Sequence, residues 1–392
     1  MSWTNVTVGD AFDFVRNGKS IKQSKKVDGL PITRIETIAD RIVDPARVGY
    51  AGLNEAGNEQ WLLRKGDILF SHINSVDHIG KCAIYEGVPE KLIHGMNLLT
   101  LRPGRLLHPK FAYYVLSHDT FRARLLPFVN KAVNQASVST TNLKTLEIPL
   151  PPLSEQKRIA AILDKADQLR QKRRQAIALL DGLFQSIFLE MFGDPVSNPM
   201  GWQTAQLADV ADFFAGNSLP AGVDFEGQNG GYLLLKVSDL NRLENAECVI
   251  SAASFSEKPG SRAGTAPIGA IVFPKRGGAI ATNKKRTLGR PAILDPNLMG
   301  VAPKANHLHS TFLAAWFSFL DLASISSGSS VPQLNKQDLA PLMIHVPSLQ
   351  LQEEYGMRLK QLSRIVAGAA KSLDGAASVF SSLQHRAFSG QL

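Results

Sequence analysis

The stretch IPLPPLSEQKRIAAILDKADQLRQKRR at 148–174 decides how the chain is organised. A short apolar run meets Pro149, Pro151 and Pro152, then gives way to a long charged segment without proline. Proline fixes its own backbone angle and lacks an amide hydrogen, so Pro151 and Pro152 stand outside the helix that follows. Ser154 is placed to cap its first turn. The next strong stop is Gly193, followed by Asp194-Pro195 and Asn198-Pro199. A helix over 155–191 is about 55 Å long at about 1.5 Å per residue.

The same signal is written again. Ile148 over Ile344 lays IPLPPLSEQ on IHVPSLQLQ and pairs Pro151 with Pro347, Leu153 with Leu349 and Gln156 with Gln352. That offset of 196 residues also pairs Leu163 with Leu359, Phe184 with Phe380 and Phe192 with Phe388. The starts match as well: WTNVTVGDAFDF at 3–14 lies over WQTAQLADVADF at 202–213. A period this long is not a solenoid. It indicates two copies of one module, each a variable globular part followed by a long helix.

Both helices carry apolar residues at seven-residue spacing. In the first, Ile159, Ala166, Leu180 and Ile187 form one register, with Arg173 interrupting it. Ile162, Leu169, Ala176 and Leu183 form the other. In the second helix Tyr355, Leu362, Ala369, Ala376 and Leu383 repeat the first register. Such stripes predict helices that pack on each other as an antiparallel coiled coil about an approximate two-fold axis. Because Arg173 lies on the stripe, the cluster Arg170, Lys172, Arg173 and Arg174 is expected to face a partner protein.

The variable parts read as α+β. GDILFS (66–71), CAIYEG (82–87) and NLLTLRPG (97–104) are expected strands of the first, and GYLLLKVS (231–238), GAIVFP (269–274) and PAILD (291–295) of the second. PKFAYYVLSH (109–118) and HSTFLAAWFSFL (309–320) are expected helices packed on those sheets. The latter holds the longest apolar run, which is too short to span a bilayer. The N-terminus has no signal-peptide pattern, and Cys82 and Cys248 stand alone, so a reducing, cytoplasmic setting is expected.

Over 392 residues the net charge is +9, which points to a polyanionic partner, nucleic acid first. The excess is local. Residues 258–294 hold eight basic residues and no acid. Within them Lys275, Arg276, Asn283, Lys284, Lys285 and Arg286 form a glycine-hinged loop able to meet phosphates and base edges. The matching loop of the first half, 71–81, offers His72, Asn74, His78 and Lys81. The run 16–26, also without acid, adds Lys22, Lys25 and Lys26. Polar segments before each proline entry add Asn134 and Gln135 in the first half, Gln333 and Asn335 in the second.

No enzyme signature accompanies these residues. NGKS at 17–20 lacks the first glycine and the preceding strand of a phosphate loop. No motif for amino-methyl transfer, zinc ligation or a nucleophile elbow is present. No catalytic residue, metal or cofactor is expected in this chain.

The segment IPLPPLSEQKRIAAILDKADQLRQKRRQAIALLDGLFQSIFLEMFGDP, followed by NPMGW, closely resembles the specificity subunit of type I restriction–modification systems. The second helix departs from it, with Leu351 where the first has Glu155. The resemblance implies target recognition modules at 1–150 and 196–346 and spacer helices at 151–195 and 347–392. It implies an asymmetric, bipartite double-stranded DNA target, with one half-site per module. It also implies two methylation subunits that bind S-adenosylmethionine, restriction–translocation subunits, no membrane, and one copy of the chain per methylase core. A specificity subunit of a fused methylase–nuclease system and a two-module scaffold that binds no DNA are the alternative readings.

Overall fold

A computed structural model describes residues 3–24, 28–132, 135–327 and 331–392. Its contacts divide the chain into two units: Met1–Gln175 with Lys371–Leu392, and Ala176–Ala370. Two 40-residue helices, Leu153–Phe192 and Leu349–Phe388, each contribute to both units.

The first unit is built on a four-stranded antiparallel sheet in the order 12–17, 98–103, 68–71, 82–84. Both faces are buried, which is why its strands read as unbroken apolar runs. Alternation shows inside the runs. Ile68 and Phe70 enter the core beneath Phe111, Ile148, Ile159 and Leu163, while Leu69 joins Ile38, Tyr85 and Leu98 on the other face. Phe380 and Ala387 of the second long helix complete the first of these cores.

The second unit repeats the plan. Strands 211–215, 298–303, 271–274 and 286–288 form the matching ladder, extended by a parallel strand at 248–249. Ile271 and Phe273 face Phe188, Phe312, Trp316 and Tyr355, and Val272 faces Leu233 and Leu294. A second five-stranded sheet, in the order 223–224, 254–256, 232–235, 292–294, 265–266, is added here. The six expected strands and both expected short helices are present, the helices at Pro109–Leu116 and Ser310–Ser318.

Each unit is closed by one buried glutamine. The Gln156 side chain accepts from the His108 amide (2.8 Å) and donates to the carbonyls of Leu106 (2.9 Å) and Pro151 (2.8 Å). Gln352 accepts from the His309 amide (2.8 Å) and donates to His307 (3.0 Å) and Pro347 (2.9 Å). Both side chains are fully buried. The repeated glutamine of the sequence therefore fastens a long helix to the short helix of its own unit.

Three expectations are corrected. The first long helix begins at Leu153, with Pro152 accepting from the Glu155 and Gln156 amides, so Ser154 lies inside it. Its counterpart Ser348 does cap, accepting weakly from the Leu351 amide (3.4 Å). The arginines of the first helix are committed within the first unit. Arg170 pairs with Asp167 and lies 4.4 Å over the Phe380 ring, and Arg173 donates to the Ser372 carbonyl (2.7 Å). The two heptad registers are also unequal. Ile159, Tyr355, Leu362 and Ala376 are buried, while Leu169, Leu183, Ile365 and Val379 are 43–58% exposed. One helix surface offers only one stripe to its neighbour, so the second apolar stripe is left outside. The first long helix is also apolar enough over an 18-residue window to cross a bilayer by length and composition, yet its Phe188 and Phe192 are core residues of the second unit.

Candidate nucleic-acid interface

The loops singled out by charge and polarity follow equivalent strands. In the first unit the strand Ile68–Ser71 runs into the 71–81 loop, which folds back through the Gly80 amide to the Ser71 carbonyl (2.9 Å). Ile73–Asn74 pairs with Gln135–Ser137, which pairs with Asn130–Ala132, and the Val138 amide donates to the His72 carbonyl (2.9 Å). The 71–81 loop and the polar segment ahead of the proline entry thus become one small ribbon.

The second unit joins the corresponding pieces. The strand Ile271–Pro274 leads to Lys275, whose carbonyl accepts from the Leu334 amide (2.9 Å). Arg276 bridges to Gln333, and the Gly277 amide donates to the Pro332 carbonyl (2.8 Å). Gly277 has φ of +71°, a conformation that favours glycine, and it turns the chain into the helical turn Gly277–Thr282. His72 and Lys275 therefore hold equivalent positions, as do Val138 and Leu334.

The candidate residues separate by exposure and partner. Lys22, His78, Gln135 and Arg276 are exposed. Asn74, His78 and Lys81 line one cavity of about 220 Å³, with Glu36 on its wall. Asn74 accepts from the Ser75 amide (2.8 Å), and Lys81 reaches the Ala39 carbonyl (3.2 Å). Gln333 donates to Asn335 Oδ1 (3.3 Å), and the Asn335 amide donates to Asp338 (2.7 Å). Lys25, Lys26 and Asn134 lie outside the described residues.

The other candidates are turned inward. His72 is 6% and Lys275 8% exposed. Burial pushes the His72 imidazole down to about 4 and lowers the Lys275 ammonium, the latter helped by Arg276 and opposed by Asp295. His72 is therefore uncharged at neutral pH and offers no cation to a phosphate. Asn283, in a left-handed conformation, donates to the Leu320 carbonyl (3.2 Å) and accepts from the Leu322 amide (3.0 Å). Lys285 donates to the same Leu320 carbonyl (2.6 Å), and burial lowers its ammonium to about 8. Lys284 binds the Asn241 side chain, and Arg286 binds the Lys285 carbonyl (3.1 Å). These four side chains shape the loop. Their partners at 241 and 320–322 carry no sequence signal of a loop contact.

His94 of the first unit, also buried, is held down at about 4 by burial and donates from Nε2 to the Leu98 carbonyl (2.9 Å). A histidine whose folded value lies below its unfolded value of about 6.5 contributes stability above that pH and loses it on acidification. The first unit is expected to lose stability between about pH 6.5 and about pH 4, by up to about 3 kcal/mol for each of His72 and His94. Urea melts at pH 7.5 and 4.5 check this. A His94→Gln chain that keeps the full acid loss contradicts the assignment.

Comparison with known proteins adds to this geometry. The family described as the type I restriction modification DNA specificity domain matches residues 1–179 and 199–373. The putative type I restriction enzyme MjaX specificity subunit of Methanocaldococcus jannaschii is 32% identical over 383 residues, 93% of this chain and 87% of the relative. A solved chain from work on complex assembly and conformational transition of the type I R-M system superposes with a TM-score of 0.61 at 17% identity, covering 100% of this chain and 98% of its own. The type I restriction–modification S subunit from M. genitalium gives 0.57 at 17% identity, covering 99% and 96%. At these identities the structural likeness concerns the fold.

Proposed function

The chain belongs to the type I restriction–modification DNA specificity family, and on that premise we propose that its two units read the two halves of one asymmetric DNA target. It is a specificity subunit and carries no catalytic step of its own. The observation that carries the reading is the repeated ledge. In each unit the loop after an equivalent strand joins the segment ahead of the long helix, and the chemistry differs between the two. One ledge presents Asn74, His78, Lys81 and Gln135, while the other presents Arg276, Gln333 and Asn335. Different side chains read different bases, so the half-sites differ.

Recognition modules at 1–150 and 196–346, with spacers at 151–195 and 347–392, follow from the same reading. The spacers form an antiparallel coiled coil. Its support lies in contacts within each unit: Arg158 meets Leu392 and Arg173 meets Ser372 in the first, and Phe188 meets Tyr355 in the second. The exposed register with Leu169, Leu183, Ile365 and Val379 is the surface for two methylation subunits, because apolar stripes of this kind mark interaction sites. Those subunits bring S-adenosylmethionine and modify adenine, and restriction–translocation subunits join them.

Mapping of methylated adenine in cells with and without this chain tests the reading. A bipartite motif should appear only when the chain is present, and absence of any dependent motif refutes the function. Within that experiment Arg276→Ala is expected to relax one half-site and weaken duplex binding about tenfold or more, the value of a bidentate arginine–base contact. Its salt slope should fall by about one. Unchanged binding would move the contact off this ledge.

A further inference from the structure

The short helices of the two units are equivalent, because Gln156 binds the His108 amide and Gln352 the His309 amide. That match sets Tyr113 and Tyr114 over Ala314 and Ala315. In the first unit both tyrosines fill space. Tyr114 is 2% exposed and packs against Phe380, ring centroids 6.0 Å apart, and its hydroxyl donates to Asp164 (3.3 Å). Tyr113 lies beside it, centroids 5.1 Å apart. Phe184 is the residue that the repeat sets over Phe380. In the second unit it faces a cavity of about 540 Å³ with Ala314 and Ala315 as floor and Phe188, Phe319 and Tyr355 as walls. Thr311 and Gln185 stand at the same cavity.

We propose that this cavity receives an aromatic side chain of a methylation subunit, so that the two copies dock in different ways. The inference rests on the function given above, which assigns the long helices to those subunits, and Phe184, Phe188 and Tyr355 belong to them. The occupant's chemistry is written in the first unit, where the chain's own phenol rings fill the equivalent volume. Aromatic walls favour an aromatic guest through edge-to-face contacts. Thr311 and Gln185 offer polar partners for a phenol hydroxyl. The size and predominantly apolar lining are those of a binding pocket rather than a packing fault. At the first unit Tyr113 and Tyr114 leave no such space, and a docking subunit meets a filled surface.

The test gives the second unit the side chains of the first. Full-length chain and methylation subunit are mixed and the assembly counted by native mass spectrometry and titration. Wild type should take up two subunits. Ala314→Tyr with Ala315→Tyr should keep one at unchanged affinity and weaken the second at least tenfold. Millimolar phenol, the small probe of the same chemistry, should compete with the second wild-type uptake and not the first. Thermal melting checks that the double variant folds, and Ala315→Leu, a smaller filling, should give the same loss in weaker form. Two subunits bound with unchanged affinity by a folded filled variant overturn the inference and leave the function standing. A wild-type chain that binds no methylation subunit overturns both.

Discussion

Gln156→Ala should cost the first unit about 4 kcal/mol, a large part of the stability of an ordinary domain. The amide makes three hydrogen bonds in a fully buried position, two of them to residues about fifty positions away. Truncation strands the His108 amide and the Leu106 and Pro151 carbonyls, each at about 1–3 kcal/mol, and leaves a void too small to hydrate all three. Hydrogen exchange reads the effect unit by unit. Amides of Met1–Gln175 should lose protection while those of Ala176–Ala370 keep theirs, and Gln352→Ala should do the reverse. A loss below about 1 kcal/mol would show that the glutamine is not the fastening.

The second large effect lies at Asp67 in the same unit. Its carboxylate is 1% exposed and takes a fork from Arg102, Nε at 2.7 Å and Nη2 at 2.6 Å, with the Arg64 amide as a third donor (2.8 Å). Arg102→Met leaves that charge buried without its partner, and about 3–5 kcal/mol should be lost. The surface pair Arg47–Asp40, with side chains 43% and 62% exposed, belongs to a different class, and its removal should change stability by less than about 1 kcal/mol. Denaturant midpoints of the two variants give the comparison. Adding Asp67→Asn to Arg102→Met should recover part of the loss, and failure to recover any would assign it to the arginine's packing over Phe14, 4.7 Å away.

Much of the architecture is legible from local chemistry. The prolines, the glutamine spacing and Gly193 declare two modules, because helix entry and exit depend on residues close in sequence. Strands such as Ile68–Ser71 are legible because a sheet covered on both faces is written as an apolar run. The added sheet of the second unit is not, since strands of two residues such as 223–224 and 265–266 carry no periodicity. The inward heptad register is equally hidden, both stripes being apolar.

The candidate interface was legible as a place and less so as a set of side chains. Charge and polarity marked both loops, and the polar segments that the fold joins to them. They did not separate Arg276, which is exposed, from Lys285, which is tied to Leu320, or from Asn283, which clasps the same turn. That distinction depends on a carbonyl 35–37 residues away. His72 shows the same limit, because a histidine in a polar loop looks available until the sheet beneath it removes water.

The chain that completes the first core is the last to be made. Phe380 and Ala387 close a cluster whose other members lie before residue 164, while Ala176–Ala370 forms a unit from an uninterrupted segment. During synthesis the second unit has all its residues before Lys371–Leu392 leaves the ribosome. The usual order, in which the N-terminal domain folds first, is therefore reversed. Until release, apolar surface around Phe111, Tyr114 and Leu163 waits uncovered, which makes the nascent first half the form most exposed to chaperones and proteases.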